Sequence, residues 1–181
     1  MHFKISVIAL AVAGLIGCSS TKAPDVAGNI RNSLNQAGLK DVSVSQDRDK
    51  GVVTLGGKVQ QPEDKNRAEQ IAKSLASGQV VAVEIAVLPP GSESTAKSVN
   101  SDLDKGIENN LDAAFTQAGL KGVRHDTTNG VVTLKGDIDT PARRTEAERV
   151  AAAVPHVQQV VNEIQVKVQR ATSSGNADRS R

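Results

Sequence analysis

Apolar residues recur every four positions in two stretches of this chain: Val26, Ile30 and Leu34, and later Leu103, Ile107, Leu111 and Phe115. Such a stripe is one face of an α-helix. Both stretches run into a glycine and a leucine, Gly38-Leu39 and Gly119-Leu120. There the glycine can take the left-handed cap conformation and the leucine can fold back on the last turn. Two β-type runs follow each helix, divided by turns marked by Gly51 and by Asn129-Gly130. A second helix is predicted to open at Pro62 and at Pro141, since proline suits a first-turn position whose N–H has no partner. Glu63 and Asp64 favour the positive end of its dipole. Its apolar face is Ala68, Ile71, Ala72 and Leu75, or Ala147, Val150, Ala151 and Val154. A closing strand then alternates, Val81, Val83, Ile85, Val87 and again Val160, Ile164, Val166, Val168, which predicts one covered face and one wet face.

This order of elements is one motif written twice. Ala37-Gly38-Leu39-Lys40 recurs as Ala118-Gly119-Leu120-Lys121 at an offset of 81 residues. Gly51-Val52-Val53-Thr54-Leu55 recurs as Gly130-Val131-Val132-Thr133-Leu134 at an offset of 79. Copy one therefore holds two extra residues near Asp47-Arg48-Asp49-Lys50. The copies span 24–88 and 102–168, with 89–101 a linker by composition and 169–181 a polar tail without periodicity, expected to be disordered. Each copy predicts an α+β unit of αββαβ order, a three-stranded mixed sheet covered on one side by two helices. A domain of about 60 residues buries only about 60% of its unfolded surface, so the two copies are expected to pack against each other.

Residues 1–17 read as a secretory signal: Lys4 is followed by an apolar run from Ile5 to Leu15 that is short for a membrane span. Leu15-Ile16-Gly17-Cys18 resembles the bacterial lipobox. The resemblance implies cleavage before Cys18, a thioether-linked diacylglycerol on its sulfur, and a further acyl chain such as palmitate on its amine. Two acyl chains already give stable membrane attachment. Ser19 and Ser20 follow, with no Asp to mark inner-membrane retention, so the inner leaflet of the outer membrane is the expected location.

Composition then removes several functions. Phe3 and Phe115 are the only aromatic residues other than histidine, so there are no rings to stack bases. The net charge of +2 lacks the basic excess of a nucleic-acid binder. Cys18 is the only cysteine, which excludes an internal disulfide. His125 and His156 remain after the leader and have no metal-ligand spacing. His125, at the position of Val44, is expected in the core or at its edge, and His156 in a solvated turn. No nucleophile–base motif or phosphate loop is present, so no catalytic residue, cofactor or metal is expected.

The run Gly130-Val-Val-Thr-Leu-Lys-Gly-Asp-Ile138, then Ala147, then Val157-Gln-Gln-Val-Val-Asn162, resembles the BON domain of bacterial osmotically inducible periplasmic proteins and envelope lipoproteins. Copy one departs from it, with Gly78 for Val157 and Val83 for Asn162. The resemblance implies a non-enzymatic protein that supports envelope integrity and osmotic tolerance, with phospholipid as a ligand of the family. An adaptor that binds another envelope protein is the competing expectation. Residues 23–90 carry 8 basic and 8 acidic side chains, and residues 91–168 carry 9 and 11. Candidate contacts for anionic phospholipid are therefore a local cluster: Arg143, Arg144 and Arg149 on the second helix, with Lys121 and Arg124 before the first strand. The plainer expectation is a solvated helix face paired to Glu146 and Glu148.

Overall fold

The computed structural model describes residues 22–167. The leader, Cys18 and the polar tail lie outside the described residues. The first copy comprises α1 (Ala27–Gln36), β1 (Val42–Asp47), β2 (Val52–Val59), α2 (Pro62–Leu75), β3 (Val80–Val83) and β4 (Ala86–Val87). The second comprises α3 (Glu93–Gln117), β5 (Val123–Thr128), β6 (Val131–Ile138), α4 (Pro141–Ala152), β7 (Gln159–Asn162) and β8 (Gln165–Val166). In each sheet the central strand pairs antiparallel with the hairpin strand and parallel with the closing strand. The α+β expectation holds, and two helices cover one face of each sheet.

The local reasons are those the residue pattern offers. Ile30 and Leu34 are buried on α1, and Ile107, Leu111 and Phe115 on α3, each set against the inward side chains of its own sheet. Gly38 and Gly119 hold positive φ, and the Leu39 and Leu120 N–H groups reach back to Leu34 and Phe115 at 2.9 and 3.0 Å. This closes both helices by the expected cap.

Two features go beyond what the residue pattern offers. The closing strand is broken in each copy: β3 and β4, like β7 and β8, pair with different halves of the central strand, giving four strands per sheet. Glu84 and Glu163 stand just before each break, and their N–H groups still bond Leu55 and Leu134. The segment read as a linker is helical from Glu93, because α3 runs 25 residues. No Gly or Pro occurs from Ser92 to Lys105, and Ala96, Val99 and Leu103 prolong the stripe of Ile107.

The outer sheet faces are wet only in part. Val52 and Ala82 of copy one meet their own counterparts, Val131 and Val161, in a separate buried cluster. Each pair lies at offset 79, so the interface is nearly two-fold symmetric. The polar contacts follow the same symmetry. Lys50 Nζ lies 2.7 Å from Glu163 Oε2, while its counterpart Asn129 donates from Nδ2 to the Glu84 carbonyl at 2.8 Å. Gln159 breaks the symmetry: its amide donates to Val81 O at 2.7 Å and accepts from Val83 N–H at 3.1 Å. One side chain thus closes the edge of β3 as a neighbouring strand would.

Candidate functional site

The five predicted cations do not gather on one surface. Arg143 follows Pro141 in the first turn of α4, and its Nη2 donates to Gly119 O at 2.7 Å, at the C-terminal end of α3. That places it beside the loop carrying Lys121, which is exposed. Arg144, one residue on, turns instead to β7 and donates to Asn162 O at 3.0 Å. Arg124 lies within β5, and its cross-strand partner is Lys135. His125 next to it faces the helices, so alternation turns Arg124 to the other side of the sheet. Arg149 meets Glu146 at 3.7 Å with both side chains exposed, which is the solvated pairing expected of a helix face. Glu148 accepts from Asn162 Nδ2 at 3.1 Å and, among the described residues, forms no ion pair with these arginines. The five cations thus take four separate placements, because strand alternation and two backbone carbonyls draw them apart.

A different end of the molecule is built more tightly. Ala23 N–H donates to Arg48 O at 2.8 Å, and Arg48 Nε donates back to Ala23 O at 2.7 Å. Gln46 Nε2 and Gln79 Nε2 both donate to Pro24 O, at 2.8 and 3.0 Å. Gln46 Oε1 accepts the N–H groups of Val26 and Ala27, so a strand side chain caps the first turn of α1. Copy two has Thr127 in place of Gln46, and its hydroxyl is buried with no hydrogen-bond partner among the described residues. Next to this pin, Lys50 bridges to Glu163, whose side chain is only 9% exposed. The Glu163 carboxylate raises the Lys50 ammonium above the ordinary lysine range. The Lys50 backbone N–H, accepted by Asp47, lowers the Asp47 carboxyl below its ordinary value. Burial pushes the Glu84 carboxyl upward at the same interface.

Sequence reading did not single out Gln46, Lys50 or Gln159. The available signal was the difference between copies: the extra residues near Lys50, and a polar Gln46 on an otherwise inward-facing register. His125 is an edge-of-core histidine, as expected, with a side chain 10% exposed. Its Nε2 lies 3.0 Å from Asp112 Oδ1 and its ring packs at 5.7 Å from Phe115. His156 is exposed in the turn before β7. Among the described residues, no group of three or more His, Cys, Asp or Glu side chains is placed to hold a metal. No described helix is long and apolar enough to cross a membrane.

Two fused αββαβ units, with polar pins at the joint, define a tandem-module α+β protein. The BON domain matches residues 22–89 and 102–168, and the chain belongs to the BON-domain family. It is similar to osmotically-inducible protein Y of Escherichia coli (strain K12), with 30% identity over 132 residues. That match covers 71% of this chain and 64% of the relative's length. Two solved structures of CdsD, a structural protein of the type III secretion system of Chlamydia trachomatis, are similar at 13% identity. The first covers 79% of this chain and 98% of its own, with a TM-score of 0.33. The second covers 77% and 91%, with a TM-score of 0.36. Likeness at that level carries no argument about this chain.

Proposed function

We propose that this is a non-enzymatic envelope lipoprotein, held by acyl chains on Cys18 at the periplasmic face of the outer membrane, where its BON domains contact phospholipid headgroups and support osmotic tolerance. The osmotic context rests on the similarity to osmotically-inducible protein Y. The observation that carries the anchored reading is the lipobox-like Leu15-Ile16-Gly17-Cys18, and the pin on Ala23, Pro24, Val26 and Ala27 sets how an anchored chain would sit. Three residues lie between Cys18 and Lys22, so the two Cα atoms are at most about 14 Å apart when the chain is extended. A lipid on Cys18 therefore holds the β1–β2 turn, and with it the joint between the domains, close to the bilayer.

This placement selects among the cations. Lys22, Arg48 and Lys50 lie at the pinned end. Arg144 joins them, because it bonds Asn162, the neighbour of the Glu163 that holds Lys50. Acidic Asp47 and Asp49 sit among them, so headgroup contact adds to the anchor and does not replace it. Each free cation near an anionic surface contributes at most about 1 kcal/mol.

Cell fractionation of the full-length protein, with the intact mass of the mature chain, tests the anchor. The expected mature form begins at Cys18, carries diacylglycerol and a further acyl chain, and sediments with membrane, whereas Cys18→Ser leaves it. A mature wild-type chain with an unmodified Cys18 thiol would remove this reading.

A further inference from the structure

Between the domains lies a half-open cleft of about 540 Å³. Its apolar floor comes from both copies: Ile85 and Val87 after β3, and Leu103 and Ile107 of α3 with Val157 before β7. Leu103 is 42% exposed. That volume lies within the usual range for small-ligand sites, and apolar walls with a few placed polar groups are their ordinary make-up. The polar groups here are distinctive. Lys65 of α2 is half-buried on the wall, and among the described residues it has no carboxylate within ion-pair distance. Among the same residues, its one side-chain partner is Gln158 Oε1, at 3.4 Å. Glu69, one turn along, is taken by Lys73 at 2.6 Å. Burial lowers the Lys65 pKa, and Glu69 opposes this only from a distance. The counterpart of Lys65 in copy two is Arg144, whose guanidinium is already bonded to Asn162 O. Only the copy-one cation is left facing an open cleft. Asn66, Asn100 and Gln158 add neutral amides to the wall. Asp104 is the one carboxylate in the lining, and both its oxygens accept backbone N–H groups, from Asn129 and Gly130 at 2.8 Å.

We propose that this cleft is a binding site for a small organic monoanion, a carboxylate on a short aliphatic body. The single ammonium would meet the carboxylate, the amides would donate to its second oxygen, and the aliphatic part would cover Leu103 and Val157. Lys65 is the one ammonium or guanidinium in the lining, beside the His156 imidazole and neutral amides, which suits a singly charged head better than a dianion, for which a second permanent cation is called for. The site is independent of the anchor and of headgroup contact.

The test is amide-resolved NMR titration of the mature chain, made without Cys18, using hexanoate and its neutral isostere hexanamide. Hexanoate is expected to move the side-chain amide signals of Asn66, Asn100 and Gln158 saturably, with hexanamide far weaker. Lys65→Met, which keeps the aliphatic stem, is expected to weaken hexanoate about tenfold. Gln158→Glu places an internal carboxylate beside Lys65 and is expected to abolish the shifts while the rest of the spectrum stays native. Equal response to hexanamide, the absence of saturable shifts at these amides, or wild-type affinity in Lys65→Met with a native spectrum would each overturn the proposal.

Discussion

Gly136→Ala is expected to destabilise the second domain by about 3 kcal/mol or more. Gly136 lies in β6 at φ +121°, a conformation side chains rarely adopt. A Cβ there would stand 2.2 Å from the Gly122 carbonyl oxygen. The obstacle is backbone, so no rotamer change relieves it, and the β5–β6 pairing must shift. Gly57 repeats the situation at φ +94°, 2.1 Å from Asp41 O. The control is Gly106, in the middle of α3 with nothing within 4 Å of an added Cβ. Gly106→Ala is expected to stabilise by about 0.5–1 kcal/mol through helix propensity. Urea unfolding of the three proteins checks both signs, and a wild-type midpoint for Gly136→Ala would contradict the geometry.

The second large effect concerns the joint. Val161 is 1% exposed, among Val52, Ala82 and Val131. Val161→Asp puts a carboxylate into an aliphatic cluster, which costs about 3–5 kcal/mol if the charge stays buried and unpaired. The chain has a cheaper response: the domains can separate and hydrate the new charge. The cost is then limited to the free energy of the interface, including the Lys50–Glu163 bridge and the Gln159 amide. The wild-type protein is accordingly expected to unfold in one calorimetric transition. Val161→Asp should show two, each lower, because a domain of about 60 residues is marginal alone. A single transition at the wild-type temperature in the variant would mean that the copies do not support one another.

Much of the fold was legible because each local signal agreed with the next. The four-residue stripes, the Gly-Leu caps, the prolines at Pro62 and Pro141 and the turn glycines all stand where the pattern put them. The break in the closing strand was hidden, since Val83, Ile85 and Val87 keep strict alternation through it. The extra turns of α3 were hidden by the Pro89-Pro90-Gly91 opening and the serine-rich composition of the segment, although residues 92–101 contain no helix breaker. The joint was anticipated only as a need for burial. Nothing about Gln159 in sequence marks an amide that will complete a strand edge, because its partners lie 76 and 78 residues away. The cations were visible as residue types, and their grouping was not. Arg124 and Arg143 are directed by strand alternation and by a carbonyl at a helix end, both tertiary facts. The cleft at Lys65 exists only once the two copies are joined.

The most direct measurement of the functional account is vesicle flotation of residues 19–181, without Cys18, on anionic and neutral liposomes at low and moderate salt. Removing the anchor isolates the headgroup contact. The account predicts weak flotation with anionic vesicles only, lost as salt rises, since contacts at Lys22, Arg48, Lys50 and Arg144 are screened over about 10 Å at 0.1 M salt. Flotation that is equal on neutral vesicles, or absent under every condition, would contradict phospholipid recognition by the BON domains. It would leave any lipid on Cys18 as the sole membrane contact.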